Sequence, residues 1–558
     1  TTQELRALPT VIDASNRILE KAGKATKSLF GDDISMAIFD PSKREHKEML
    51  FFDVLQLPVV NLTKTKQRAI DKFFTAAYRE KHVEVSLNET ITKAKHLLST
   101  SVRAWVKKME ESLDSAVDWC LRPAFGFFTI VTGRLNSFKP SLQQVPNHGK
   151  LAFYIKRAFV PPVGYLNVKY DYSAHEVKGW SFLSGDKKIA ATFQVGLDLR
   201  RELVKASAIP PIPKEEDGKT AWGIDKIKKK LEKTDKGSQR RRLKAWLKLL
   251  EIGAELKKSG DVHILNVFRF FGMWVDKKHP LREAVKKIIF GLIYGKGIRT
   301  LARDIDKTPE ETEEIVDKLF GEFDVGAQWL DDARTLVEEH AHVVSPIGRV
   351  RRLWRVYTNK NGVIAAAHRR AQNSPIQGFA SEIGCSAAFL ILLTCYEFIL
   401  ENGLDLETHM PRYCRAVHDA NYFVVPFAFV IPFIHIMQYM ATNGVTKWYE
   451  DKFGLKLAIE PEVEVEVCAS EDKAYKWNWE LPQLLTIIRK SINDLVTVNR
   501  LDEKDIKRTY RLITKPWRDE SYRATLQKQF PILNVPDLDE EIGRSLELFD
   551  EYFDEYMS

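Results

Sequence analysis

Two aspartates within apolar stretches are the residues best placed to do chemistry. Residues 166–171, LNVKYD, alternate apolar and polar side chains and end on Asp171, which is the period of a half-buried strand. Asp419 follows His418 inside a second apolar stretch, RAVHDANYFVVP. A buried carboxylate is costly unless it binds a cation, which favours metal ligands. The alternatives are a strand-end or helix-capping aspartate and a core histidine whose hydrogen bonds are satisfied.

A second chemical pattern occupies the segment REAVKKIIFGLIYG. Arg282, Lys286, Phe290 and Tyr294 recur every four residues, which places them on one stripe of a predicted helix. The two cations suit a polyphosphate, and the two aromatic rings suit the flat faces of a sugar and a base. Two separated aspartates and such a helix are what two-metal phosphoryl transfer requires, with two Mg²⁺ ions about 3.5 to 4 Å apart.

The length and composition of the chain indicate what kind of protein holds these residues in place. A chain of 558 residues permits several packed subdomains. A net charge of +9 favours a polyanionic partner. The five cysteines form no CxxC pair, so reduced thiols and a cytoplasmic location are predicted. No secretory segment opens the chain, and the most apolar predicted helix, 387–398, is too short to span a bilayer, so no membrane partner is expected.

Three segments together resemble motifs A, B and C of family A DNA polymerases, the group of the bacterial repair polymerase and many phage replicases. DYSAHEVK (171–178) resembles the family's DYSQIELR, residues 282–295 resemble RxxxKxxxFGxxYG, and VHDA (417–420) resembles VHDE. The resemblance implies an α+β right-hand fold with an antiparallel-sheet palm, helical fingers and a helical thumb. It also implies template-directed addition of dNTPs to a primer 3′-hydroxyl, expected here to serve phage genome replication in the bacterial host cytoplasm.

The resemblance also implies a role for individual side chains. Asp171 and Asp419 become the catalytic ligands of two Mg²⁺ ions, with Tyr172 as a further ligand and Mn²⁺ as a substitute ion. Glu176 takes the place of the steric gate that excludes a ribose 2′-hydroxyl. The implied dNTP-binding residues are Glu176, His263, Arg282, Lys286, Phe290 and Tyr294.

Contacts to primer-template DNA are implied by TGRLNSFKPSLQQVP (132–146), GRVRR (348–352) and HRRAQNSPIQG (368–378), which are similar to family segments at the primer-template junction. The residues concerned are Arg134, Gln143, Arg349, Arg369, Asn373, Gln377 and His418. Separately, Lys64 and Lys66 lie in a basic loop ahead of the predicted thumb helices, and such an arm with a basic tip can grip duplex phosphates. A solvated, charged helix pair is an equal alternative.

Two departures from the family bear on function. Lys287 adds a cation that is expected beside the nascent base pair, where it would loosen selectivity. Ala420 replaces the usual Glu of motif C and is the one feature that suggests an alternative, a catalytically silent DNA-binding replication scaffold. A single-subunit RNA polymerase is another, although Glu176 argues against it, and use of RNA templates stays open.

The predicted domains follow the order of the motifs. They are an N-terminal palm segment (1–40), thumb (41–130), palm with motif A (131–176), fingers (177–374), palm with motif C (375–480) and a C-terminal extension (481–558). No strand of a 3′–5′ exonuclease is recognisable in the first forty residues, so that activity is expected on a missing N-terminal part or on another chain.

Two further segments are predicted docking surfaces. The insert 197–260 has 18 Lys and Arg against 10 Asp and Glu, with two helices predicted to join near Gly237, and 537–558 is acidic with interleaved aromatics. Either could bind a helicase, a clamp, a separate exonuclease or a single-strand binding protein, and the insert could instead hold the template or the displaced strand. The alternatives are a solvated elaboration and a packed terminal helix.

Overall fold

The structure, a computed structural model, describes most of the chain up to residue 494. The described residues are 2–21, 39–63, 65–112, 121–126, 129–143, 145, 150–162, 164–207, 212–213, 222–234, 237–417, 419–471, 474–477, 486–488, 490–491 and 494. Lys64, His418 and the tail 537–558 therefore lie outside the described residues. The chain divides into two compact units, one of Thr1–Leu121 with Gln144–Leu151 and one of Arg122–Gln143 with Ala152–Ser558.

The first unit is helical. Its described helices are Thr2–Arg6, Pro9–Lys21, Arg44–Glu48, Lys72–Tyr78, Val83–Leu97 and Arg103–Ser112, with π-helical turns at Met49–Val54 and Leu98–Val102. Leu5 and Val11 are buried in the same cluster as Phe51, Phe74 and Val85. The N-terminal helices, predicted as a palm segment, thus share a core with helices of the predicted thumb.

Nine short strands occur among the described residues of the second unit. They are β1 (Ala124–Gly126), β2 (Asn136–Phe138), β3 (Tyr165–Tyr172), β4 (His342–Val344), β5 (Val350–Arg352), β6 (Arg412–Val417), β7 (Ala420–Pro426), β8 (Val463–Cys468) and β9 (Tyr475–Trp477). Five of them form an antiparallel sheet in the order β6-β7-β3-β8-β9, and β1-β2 and β4-β5 are separate pairs. Strand β3 lies at the centre, and its alternating burial confirms the half-buried strand predicted from 166–171.

Helices cover this sheet and build a second core. They are Lys150–Arg157, His175–Ser184, Lys187–Ser207, Ile224–Glu232, Ser238–Ser259, Val262–Phe271, Pro280–Ile293, Ile298–Ile305, Pro309–Glu322, Asp324–His340, Asn361–Glu401, Leu406–His409, Val430–Tyr439 and Val445–Phe453, with 3₁₀ turns at Trp354–Tyr357 and Phe427–Phe429 and a π turn at Met440–Gly444. One cluster joins the sheet to Asn361–Glu401, and the other lies among the helices around Trp180 and Ile288. The predicted α+β class is confirmed.

The longest helix differs from its prediction. Asn361–Glu401 has 41 residues and continues through Pro375, so the expectation of a short apolar helix over 387–398 is wrong. By length and composition this helix could cross a membrane, with a mean hydropathy of 2.0 and 44% of the apolar window buried. Core packing accounts for one apolar face, because Phe379, Ile391 and Phe398 are buried in the cluster of the sheet.

Candidate active site

Strand register places Asp419 next to Asp171. In the β6–β7 pair Val417 lies opposite Ala420, and Asp419 directly precedes β7. In the β7–β3 pair Ala420 lies opposite Asp171. Directly opposed residues of antiparallel strands have Cβ atoms about 4.5–5.5 Å apart. Asp419 directly precedes Ala420, and the charge of Asp171 acts on its carboxyl group, so the two aspartates that the sequence singled out lie near each other although 248 positions separate them.

Burial and like charge raise the pKa of both carboxyl groups. For Asp419 the pKa rises to about 7, mainly through burial and then through the charges of Glu176 and Asp171, while Arg134 opposes the rise. For Asp171 burial again raises the pKa, and Lys169, whose Nζ lies 3.5 Å from the carboxylate, opposes it. Such incompletely neutralised carboxylates are suited to a divalent cation.

The donors available to a metal are these two carboxylates. Among the residues that the structure describes, no group of three or more His, Cys, Asp or Glu could hold an ion. Mg²⁺ is commonly bound through one or two carboxylates together with substrate phosphates, so the pair fits this ion. The Tyr172 side chain is not available as a ligand, because its hydroxyl donates to the Ala441 carbonyl at 2.9 Å in the core. Only its main-chain carbonyl could serve.

Asp419 faces a cavity of about 200 Å³ between the β6–β7 hairpin and the long helix Asn361–Glu401. Arg134 and Gln143 line the same cavity. The Gln143 amide is held by its own loop, since Nε2 donates to the Leu135 carbonyl at 2.6 Å. These two predicted DNA contacts thus line the same cavity as a predicted catalytic carboxylate.

Glu176 is the centre of a buried polar cluster. The chain leaves β3, passes through Ala174 at a positive φ of 47° and begins the helix that carries Glu176 in its first turn. Glu176 is 3% exposed and accepts hydrogen bonds from Arg134 Nη2 at 2.7 Å and from the Tyr294 hydroxyl. Burial and the Glu176 charge raise the pKa of Tyr294, and Gln377 also hydrogen-bonds to that side chain. Four residues predicted separately therefore form one contact network.

The helix Pro280–Ile293 confirms the predicted helical stripe. Pro280 stands at its first turn, His279 caps it, and Tyr294 follows its last residue. The ring of Phe290 lies 6.3 Å from that of Tyr294 and 6.1 Å from that of His263. After Tyr294 the chain turns at Gly295, with φ of +66°, and a Cβ there would come within 2.6 Å of Arg369 Cγ. A residue other than glycine would be strained at this turn.

At the N-terminal end of the stripe, His263 and Arg282 interact with the same carboxylate, that of Asp261. Burial lowers the pKa of His263 to about 4, with Asp261 opposing the change and Arg282 and Lys286 adding to it. Arg282 is not the free cation that its sequence pattern suggested, because its Nε and Nη2 bond the Asp261 carboxylate at 3.2 and 2.7 Å.

Asp261 is the residue whose role at this site was missed from the sequence. Its carboxylate caps the helix Val262–Phe271 by accepting from two main-chain amides, those of His263 and Ile264. It thereby fixes both His263 and Arg282. The available signal was an acidic residue two positions before a predicted nucleotide contact.

Lys287 lies away from the stripe. Its side chain is exposed and donates from Nζ to the Asp304 carbonyl at 3.0 Å. Consecutive helical residues differ by about 100° around the axis. The added cation is thus directed to another face of the helix, and the expectation that it lies beside the nascent base pair is not supported.

The other predicted DNA contacts that the structure describes differ in their exposure and lie in both units. Arg369 is exposed, whereas Asn373 and Gln377 are half-buried on the same long helix. Lys66 belongs to the first unit, where it is exposed in a turn at a positive φ of 59°.

Arg349 is half-buried, and its guanidinium is bonded to two groups of the protein. Its Nε donates to the buried Glu382 at 2.7 Å and its Nη2 to the Thr132 carbonyl at 3.0 Å. A Cβ at Gly133 would come within 2.3 Å of the guanidinium, and one at Gly378 within 2.0 Å. Arg349 therefore clamps the loop before Arg134 against the long helix, and its predicted contact with the template stays a prediction.

Gly378→Ala tests this clamp. The variant is expected to lower the free energy of unfolding by about 1–3 kcal/mol through overpacking against Arg349. In an Arg349→Ala background the same change should cost at least about 1 kcal/mol less, because the main steric conflict has been removed and Ala is the better helix former. Denaturant unfolding of the four proteins measures this coupling. Equal costs in both backgrounds would contradict the clamp.

Comparison with known proteins agrees with this geometry. The profile described as DNA polymerase family A matches residues 12–217 and 248–447, and the chain belongs to this family. It is 25% identical over 347 residues to the thermostable DNA polymerase I of Thermus aquaticus, covering 62% of this chain and 34% of that protein. It is also 25% identical over 401 residues to the DNA polymerase of Escherichia phage T5, covering 68% and 39%.

Among solved structures, the POL domain of Pol1 from M. smegmatis, in complex with DNA primer-template and dNTP, is similar at a TM-score of 0.57. The sequence identity is 22%, and the similarity covers 85% of this chain and 66% of that one. This likeness shows the polymerase fold. The chain spans about a third of the length of the curated relatives.

Proposed function

We propose that this chain is a template-directed DNA polymerase that adds dNTPs to a primer 3′-hydroxyl with two Mg²⁺ ions. The observation that carries the proposal is the register that sets Asp419 beside Asp171, at a cavity shared with Arg134. Family membership supports the reaction class, and the substrates named for the M. smegmatis complex support primer-template DNA and dNTP as partners.

The geometry of the site suggests a role for each of its side chains in this reaction. Asp171 and Asp419 would hold the ions, which when bound would activate the primer hydroxyl and stabilise the leaving pyrophosphate. His263, Arg282 and Lys286 form the site for the triphosphate. Because Asp261 and Glu283 already hold Arg282, the cation is pre-positioned and loses little conformational freedom when an anion binds.

The nucleotide sugar is selected at the other end of the stripe. Glu176 is held rigidly by Arg134 and Tyr294, so a ribose 2′-hydroxyl would meet a carboxylate that cannot move aside without breaking two hydrogen bonds. Phe290 lies between this cluster and the triphosphate site. We propose that it contacts the incoming sugar.

Primer extension is the direct test. We expect extension of a DNA primer on a DNA template with dNTPs and Mg²⁺, a lower rate with NTPs, and no extension without a divalent ion. Parallel reactions with Mn²⁺ and with an RNA template define the range of ions and templates. Absence of extension under all of these conditions, with primer-template still bound, would contradict the proposal.

That negative outcome is the signature of the second candidate, a catalytically silent DNA-binding scaffold. Ala420 favours it, because this buried residue lies opposite Asp171, where a Glu would add a carboxylate. For the biological role we propose phage genome replication in the bacterial cytoplasm, which the similarity to the phage T5 polymerase supports.

Phe290→Tyr is expected to increase termination by dideoxynucleotides. A phenol hydroxyl at this position would supply a polar contact near the sugar that Phe290 cannot make. A nucleotide that lacks the 3′-hydroxyl should therefore be incorporated more efficiently by the variant. We expect the ratio of kcat/KM for dNTP over ddNTP to fall by about 10-fold or more, within the range for one polar contact. Chain termination that is equal before and after the substitution would refute this role.

A further inference from the structure

The net positive charge of the chain is concentrated in one pair of helices. Residues 224–259 contain thirteen Lys and Arg against five Asp and Glu, which accounts for eight of the nine net charges. The family profile leaves residues 218–247 unmatched. Most of this charge therefore belongs to a part of the chain for which the family supplies no role.

The two helices, Ile224–Glu232 and Ser238–Ser259, confirm the predicted hairpin and its junction near Gly237. They pack against each other, and the second packs along the helix Lys187–Ser207. Ile227 is fully buried and Leu243 is 2% exposed. Arg240 donates from Nη1 to the Leu231 carbonyl at 2.9 Å, which ties the second helix to the end of the first.

The hairpin is also anchored where it leaves the fold. A Cβ at Gly196 would lie 3.1 Å from the Gly260 carbonyl oxygen, so the two ends of the insert meet closely. The Trp222 and Trp246 rings contact each other edge to face at 6.2 Å, and Lys230 Nζ lies 3.9 Å from the centre of the Trp222 ring. The hairpin is therefore a folded, fixed element.

Cations cover the outer faces of the hairpin. The exposed ones are Lys228, Lys229 and Lys230 on the first helix and Arg241, Arg242, Lys244 and Lys248 on the second. Within the described part of the chain, Lys228 pairs with Glu251 at 3.4 Å, and the other six have no carboxylate within ion-pair distance. Arg241, Lys244 and Lys248 share one stripe, which spans about 10 Å of helix.

A solvated helix face carries charges of both signs, because i,i+4 pairs stabilise it and like charges repel. Six exposed cations with no carboxylate partner among the described residues instead retain their mutual repulsion in the free protein. A polyanion that spans both helices removes this repulsion and releases its own condensed counterions. The two tryptophans are half-buried and contact each other, so the exposed outer surface offers charge rather than platforms for base stacking.

We propose that this basic hairpin binds the phosphodiester backbone of DNA without regard to sequence, as a second contact outside the polymerase cavity. The inference rests on the proposed function only in taking DNA as the polyanion. Single-stranded template and duplex share the chemistry that the hairpin recognises.

The test compares two triple variants that remove equal charge from the folded second unit. One is Arg241→Gln/Arg242→Gln/Lys244→Gln in the hairpin. The control is Lys447→Gln/Lys452→Gln/Lys456→Gln, three exposed lysines far along the chain. Fluorescence anisotropy measures binding to three probes, namely a minimal primer-template, the same with a long single-stranded 5′ overhang, and the same with added duplex. Circular dichroism checks that each variant is folded.

The hairpin variant is expected to bind the overhang probe, the added-duplex probe or both about 10-fold more weakly near 0.15 M salt, with the slope of log K against log salt reduced by about 2 to 3. The probe affected identifies the strand form. The control should change binding less than twofold, and extension of the minimal primer-template should stay unchanged in both variants.

Two outcomes would overturn the proposal. One is unchanged affinity and salt slope in the hairpin variant on both long probes. The other is an equal loss in the control variant, which would show an effect of global charge. If the wild-type protein binds as expected but does not extend a primer, the polymerase proposal fails while the hairpin proposal stands.

Discussion

Replacing Asp171 with Asn is expected to reduce the rate of primer extension by about 10³-fold or more, the scale of losing one preorganised electrostatic contact in a reaction centre. The change keeps the size of the side chain and removes the charge that would hold the ions. Lys169, which lies near Asp171, keeps Glu466 as a partner at 3.2 Å, so the sheet should tolerate the change. Binding of primer-template should stay within a few-fold of wild type.

Single-turnover extension in Mg²⁺, measured beside DNA binding, checks this expectation. Glu464→Gln is the matched control, because Glu464 lies opposite Asp171 on the neighbouring strand β8 but pairs with Lys476. If Asp171 acts as a metal ligand, the control should lose less than about 10-fold. Retention of more than a tenth of the activity by Asp171→Asn, or an equal loss in both variants, would count against the ligand role.

The second large effect is expected at Glu176. Glu176→Ala should lower the preference for dNTP over NTP, measured as a ratio of kcat/KM values, by about 10²-fold, within the range for steric discrimination in a pocket. The physical reason is that the wild-type carboxylate is buried and held by two donors, so it occupies the space that a 2′-hydroxyl needs. Truncation empties that space.

Glu176→Gln separates size from charge. It keeps the volume of the side chain but weakens the pair with Arg134, so it should retain most of the discrimination while losing catalytic rate. Steady-state kinetics with matched dNTP and NTP on one template distinguishes the two variants. Unchanged discrimination in Glu176→Ala would show that another group excludes the ribose, and a wild-type preference for NTPs would favour the RNA polymerase alternative.

Parts of the fold and of the site could be predicted from local sequence patterns alone. Period-two alternation predicted the strand that ends at Asp171, and four-residue spacing predicted the helix of Arg282, Lys286, Phe290 and Tyr294. Such patterns are readable because burial on one face selects side chains at a fixed spacing. The length of the helix Asn361–Glu401 could not be predicted from local pattern, because proline normally ends a helix. Tertiary packing overrides that preference, and the helix continues through Pro375.

The sequence by itself determined which residues carry charge and which local element holds each one. Only the tertiary structure decided their partners. It set Asp171 beside Asp419 through a strand register, tied Arg282 to Asp261, and placed Arg349 against two glycines, where its guanidinium bonds Glu382 and the Thr132 carbonyl. The reason is that periodicity reports the environment of a side chain, whereas the partner of a charge depends on contacts between segments far apart in the chain.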